Sequence, residues 1–168
     1  MLLKPQDILV LLKIASLNTD WSFRSLASGL SMSVGEVHNA LDRAERAQLF
    51  DAKRKRPRMQ SLLEFLVHGI KYAFPAERGT ITRGIPTGFA ATPLNEIIVS
   101  EEELPPVWPS PHGTVRGYSV EPLFSSVPDA IKNDPRLYEL LSLVDAIRDG
   151  RARERKMAAE ILTQHLKN

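Results

Sequence analysis

Helical periodicity governs both ends of this chain and is missing between them, and that contrast most restricts what it can fold into. Apolar residues recur at helical spacing through the first 72 residues and again from residue 135, whereas residues 73–135 hold ten of the twelve prolines. Proline inside a helix removes a hydrogen bond and clashes with the preceding turn, so the middle cannot be helical throughout. The expected class is mainly α, in three parts. These are an N-terminal helical domain over 1–72, a Pro/Gly-rich, acidic and mostly irregular segment with short strands over 73–134, and a C-terminal helical pair over 135–168.

In the first part, Pro5 suits the first position of a helix. The run Ile8, Leu9, Val10, Leu11, Leu12 and Ile14 is apolar almost all round, which predicts a helix covered on more than one face. Ser22 is a good N-cap for "FRSLASGL", with Phe23, Leu26, Ala27 and Leu30 on one side and Gly29 placed to end it. Ser33 caps a third helix that turns Val37, Leu41 and Ala44 inward. Val34, Gly35, Glu36, His38, Asn39, Asp42, Arg43 and Arg46 are left on its outer faces, and Leu49-Phe50 returns to the core. A fourth helix, opened by Pro57, carries apolar residues at 59, 62, 63, 66, 67 and 70.

In the middle part, "NEIIVS" and "TVRGYSVEPL" alternate well enough to predict strands. "RGTITRGIPTGFAATP" and "LPPVWPSPHG" read as irregular chain that carries Phe89 and Trp108, and Glu101-Glu102-Glu103 reads as a solvated acidic turn. In the last part, Asp134 caps and Pro135 opens a helix with a stripe of Leu137, Leu140, Leu141, Val144 and Ile147. After Gly150, "RARERKMAAEILTQHL" predicts a final amphipathic helix.

The net charge of +2 is unevenly placed. Residues 1–72 carry 11 basic and 7 acidic side chains, residues 73–147 carry 5 and 10, and the last 21 carry 6 and 3. A basic head on an acidic middle points the head toward an anion. The absence of cysteine excludes disulfides and thiolate metal sites, and the N-terminal apolar run is too short and too charged for a membrane span. A cytoplasmic protein with no membrane association is expected.

The stretch "SFRSLASGLSMSVGEVHNALDRAERAQLF" resembles the helix-turn-helix of winged-helix bacterial regulators of the MarR-like kind. The match spans about residues 4–70 and rests on the Ser-capped third helix, the turn length, the glycine and the anchors Val37, Leu41 and Leu49. The resemblance implies that the third helix lies in a DNA major groove with its N-terminal residues toward base edges. Ser33, Gly35, Glu36, His38, Asn39 and Arg43 are then the candidate contacts, with Asn39 suited to adenine and Arg43 to guanine or a phosphate. A winged helix normally follows its third helix with a two-stranded hairpin. Only about seven residues separate Phe50 from the fourth helix, too few for two strands of usual length. Either the wing is a basic loop or its strands come from 73–135.

Lys53, Arg54, Lys55, Arg56 and Arg58 sit just before and inside the expected start of the fourth helix. Cations there oppose the helix dipole, so folding supplies no reason for them, whereas a phosphate backbone does. Five phosphate contacts would give a log–log salt slope of about −4 to −5.

The glycines of "RGTITRGIPTG" lack the Lys-Ser/Thr of a nucleotide loop. His38, His68, His112 and His165 have no ligand spacing, and no serine stands in a nucleophile elbow. No enzyme activity and no cofactor are expected. The favoured expectation is a sequence-specific, double-stranded-DNA-binding transcription regulator, a homodimeric repressor of its own operon. The first helix and the C-terminal pair are candidate dimer surfaces. The alternative is an antitoxin-like or adaptor protein that binds a protein partner through residues 73–168. A third expectation is an effector pocket lined by Phe89, Trp108, Tyr118 and Phe124.

Overall fold

In a computed structural model, which describes residues 1–99 and 104–167, Pro5 opens the first helix, α1 (Pro5–Ser16). The Asp7 carboxylate accepts the Lys4 backbone N–H at 2.8 Å, satisfying one of the donors that a helix start leaves open. Ile8 to Leu12 and Ile14 are all buried, and α1 packs on α2 (Phe23–Leu30), α3 (Val34–Arg46) and the short strand β2 (Arg56–Pro57). The apolar girdle of α1 is therefore covered within the chain and needs no second copy.

Ser22 caps α2 by accepting the Ser25 N–H at 3.0 Å. Gly29 does not end α2; it lies inside the helix, and the left-handed residue that closes it is Ser31, at φ 52°. Gly29 is small for another reason. A Cβ there would stand 3.2 Å from Cε of Lys13, so the missing side chain lets α2 approach α1. Ser33 caps α3 as its position predicts, accepting from Glu36 N–H at 3.0 Å while the Glu36 carboxylate accepts from Ser33 N–H at 3.0 Å. Val37, Ala40, Leu41 and Ala44 face the core.

Pro57 does not open the fourth helix. It belongs to β2, which pairs antiparallel with β1 (Phe50–Asp51), Phe50 opposite Pro57 and Asp51 opposite Arg56. The chain thus makes a hairpin with strands of two residues each, and α4 (Met59–His68) begins after it. Leu62, Leu66 and Ile70 of the expected stripe are fully buried; Ile70 opens a one-turn helix, α5 (Ile70–Ala73).

Residues 73–135 keep much irregular chain, as expected, but their strands form one sheet. β3 (Arg78–Pro86), β4 (Pro106–Pro109) and β5 (Val115–Val120) each pair with the other two, β3 antiparallel to both and β4 parallel to β5. The sheet therefore closes on itself. Closure this tight needs glycine: a Cβ on Gly84 would stand 2.1 Å from the Trp108 carbonyl oxygen, and one on Gly117 equally close to that of Pro105. "TVRGYSVEPL" supplies β5, as its alternation predicts. "NEIIVS" forms no strand over its described residues. Leu94–Glu96 is a 3₁₀ turn, and a sheet already closed offers no edge for Ile97–Val99 to join. Ser100 and the acidic run Glu101–Glu103 lie outside the described residues.

The C-terminal helices are α7 (Pro135–Asp149), capped by Asp134 at 3.0 Å to Leu137 N–H, and α8 (Ala152–Lys167). A short α6 (Val127–Ala130) precedes them. Helix, 3₁₀ turns included, accounts for 54% of the described residues, so the chain is mixed α and β with helix in the majority.

The fold divides into two compact units, interleaved along the chain rather than successive: Met1–Leu63 with Leu123–Leu137, and Glu64–Pro122 with Tyr138 onward. In the first, the Lys13 ammonium pairs with Asp134, tying the returning segment to α1. In the second, the Asp145 carboxylate is buried and accepts from Thr87 Oγ1–H (2.8 Å), Trp108 Nε1–H (2.7 Å) and Arg148 (2.8 Å). Burial pushes the Asp145 carboxyl above the ordinary carboxylate value despite these donors. Phe89 and Trp108 are core side chains there. Among the described residues no helix is long and apolar enough to cross a membrane.

Candidate nucleic-acid interface

The first unit presents two exposed features: the outer side of α3 and the hairpin β1–β2. On α3 the inward arc of Val37, Ala40, Leu41 and Ala44 fixes the opposite ridge by the helical repeat. Gly35, Asn39, Asp42 and Arg46 occupy it, all exposed. Asp42 and Arg46 pair at 3.3 Å, an exposed contact of little energetic weight. Val34, the first residue of α3, is 43% exposed. A Cβ on Gly35 would meet only Ser33 Oγ at 3.9 Å, so packing does not demand a glycine there.

Of the six α3 candidates, five lie on the accessible surface: Ser33, Gly35, Glu36, His38 and Asn39. Ser33 and Glu36 are engaged with each other in the helix cap. The His38 ring lies flat against Phe23, centroids 3.7 Å apart and planes 7° from parallel.

Arg43 is not on an outer face. It is 7% exposed, and its guanidinium grips Asp7, itself 0% exposed, through Nη2 at 2.7 Å and Nε at 2.9 and 3.1 Å. Position 43 flanks the inward arc once Ala40 is counted in it, and the long side chain reaches a carboxylate on α1. A guanidinium committed to both oxygens of a buried carboxylate is withdrawn from any ligand.

The basic run is carried by the hairpin. Asp51 organises its base: its carboxylate accepts Arg54 N–H at 3.0 Å, with the Arg54 side chain 3.8 Å away. The Arg54 N–H, and then the charges of Arg58 and Arg54, hold the Asp51 carboxyl below the ordinary carboxylate value. Lys53, Arg54, Lys55 and Arg56 are exposed, and so is Arg58. Among the described residues, Lys53, Arg56 and Arg58 form no ion pair within 4.0 Å, although the charge of Arg58 is felt by Asp51. Arg58 sits immediately before α4, its carbonyl accepting from Leu62 N–H at 2.8 Å. An open groove of about 300 Å³ runs between the hairpin and the first turn of α4, lined by Arg54, Arg56, Arg58, Gln60 and Ser61 among others. Three guanidinium groups around a concave surface form an environment for an anion.

No protein-family model matches this chain. No curated protein and no solved structure matches it either. Among the described residues no group of three or more His, Asp or Glu side chains is placed to hold a metal ion. The outer ridge of α3 offers an amide and an unobstructed glycine, the exposed Val34 at the helix start adds an apolar side chain off that ridge, and the hairpin offers cations in excess of their partners. The sequence reading included neither Val34 nor Arg46 among its candidates. Trp21 stands in no motif, and its contact with the hairpin is made 34 positions away.

Proposed function

We propose that the first unit is a winged helix-turn-helix that reads double-stranded DNA, with α3 in the major groove and the β1–β2 hairpin as a minimal wing on the phosphate backbone. One observation carries the reading. The order α1–α2–α3–hairpin–α4 leaves the N-terminal half of α3 uncovered and adds, directly after it, a hairpin that carries Lys53, Arg54, Lys55 and Arg56. Base edges in the major groove are read by helix side chains, while phosphates are met by cations that need no sequence information. Asn39 and Val34 supply direct readout, the amide toward adenine and the valine methyls toward a thymine methyl. The hairpin, with Arg58 behind it, supplies affinity. Minor-groove contacts are not part of the proposal, because a hairpin with two-residue strands is short.

The biological role that follows is a transcription regulator, a repressor of its own operon acting as a homodimer. One recognition helix reads few bases, and a two-fold pair doubles the site. The test is titration of the purified chain against its own upstream duplex and a scrambled duplex at two salt concentrations. Tight, salt-sensitive binding that prefers the native sequence is the expected result. Equal or absent binding on both duplexes overturns the proposal.

A further inference from the structure

Three aromatic rings and one cation join the outward side of α3 to the hairpin. His38 stacks on Phe23 at 3.7 Å, Phe23 meets the edge of Trp21 at 5.5 Å, and the Lys55 ammonium stands 4.6 Å from the Trp21 ring centre. Two hydrogen bonds reinforce the last contact. Trp21 Nε1–H donates to the Lys55 carbonyl at 2.9 Å, and Lys55 Nζ donates to the Trp21 carbonyl at 3.3 Å. Lys55 has φ 58°, a left-handed conformation that a residue with a side chain rarely adopts without support. The indole, buried between Phe23 and Phe50, supplies that support at the same residue.

We propose that Trp21 is the positioning residue of the nucleic-acid interface: it latches the hairpin through Lys55, so that Lys55 serves the latch and the phosphate contacts come from Lys53, Arg54, Arg56 and Arg58. The inference rests on the DNA-reading proposal above and adds to it which cations count. Counterions leave the DNA where a cation neutralises a phosphate, and an ammonium committed to the Trp21 ring and carbonyl makes no such contact. Four contacts rather than five put the log–log salt slope near about −3.6 instead of about −4.5, at about 0.9 per phosphate neutralised. The latch also holds the hairpin at a set distance from α3, so the phosphate contacts and the base-reading ridge are pre-organised together.

The experiment measures affinity of the full chain for its upstream duplex by fluorescence anisotropy across a salt series, for the wild type and three variants. Arg56→Ala is expected to flatten the slope by about 0.9, one phosphate contact. Lys55→Met is expected to leave the slope at the wild-type value. Trp21→Phe keeps an aromatic ring but loses the indole N–H; it should weaken binding by about five-fold, one net hydrogen bond, again with the slope unchanged. A Lys55→Met slope flattened as much as that of Arg56→Ala overturns the latch, and so does wild-type affinity in a folded Trp21→Phe. If circular dichroism shows Trp21→Phe to be unfolded, Lys55→Met decides alone. A wild type that binds no duplex overturns the DNA-reading proposal and the latch together. A wild type that binds while Lys55→Met fails the slope test removes only the latch.

Discussion

Replacing Arg43 with methionine tests whether this residue holds the fold or meets a ligand. Arg43→Met keeps most of the length and removes the guanidinium, leaving the fully buried Asp7 carboxylate without its countercharge. Breaking a buried pair from one side costs about 3–5 kcal/mol, because the remaining charge is stranded. That is a large share of the about 5–15 kcal/mol that holds a typical domain together. For a chain of this size it corresponds to a fall in Tm of roughly 6–20 °C. The double variant Asp7→Leu/Arg43→Met should recover most of the loss, since replacing both partners with apolar residues is often neutral. The shortfall should be about 1 kcal/mol, because Asp7 also accepts from Lys4 N–H at the start of α1. Urea denaturation of the wild type, both single variants and the double variant closes the cycle. A loss below about 1 kcal/mol in Arg43→Met, with no coupling to Asp7, refutes the reasoning: a guanidinium that cheap to remove is not buried in a pair. Arg43 would then return to the set of side chains available to DNA.

Gly35→Ala should stabilise the protein by up to about 1 kcal/mol, because the site is open and alanine is the better helix former. The same change should weaken specific DNA binding in the anisotropy assay, and unchanged binding would show that nothing approaches α3 at that point. Ser33→Ala removes the cap of α3 and should cost about 1 kcal/mol in urea denaturation. Asp145 gives a pH dependence of definite sign. Its folded-state pKa is raised above the ordinary 3.8, so the native state holds this proton more tightly than the unfolded chain. Its contribution to stability is therefore greatest below 3.8 and declines as pH rises toward the folded-state value. Urea midpoints against pH should show that decline in the wild type relative to Asp145→Asn, and parallel profiles would count against it.

Much of the candidate interface was legible before any tertiary structure. Ser33, Gly35, Glu36, His38 and Asn39 lie on the surface because one apolar arc at helical spacing determines the opposite ridge. Ser22, Ser33 and Asp134 cap helices because a cap depends on an oxygen three residues from an open N–H. Bonds of this reach are local, and the residues that make them are neighbours in the sequence. The charge asymmetry that directed attention to residues 53–58 is likewise a property of composition.

Tertiary structure alone decided which of those cations are free. Arg43 is claimed by a carboxylate 36 positions away and Lys55 by an indole 34 positions away, partners that no periodicity selects. Pairing Phe50 with Pro57 turned an expected helix start into a hairpin, and mutual pairing of β3, β4 and β5 turned a proline-rich stretch into a closed sheet. In each case the outcome depends on contacts whose loop-closure entropy is repaid only when the whole unit packs. Local sequence therefore determined the helices and their outward faces, while packing between distant segments determined which charged side chains those faces leave for a ligand.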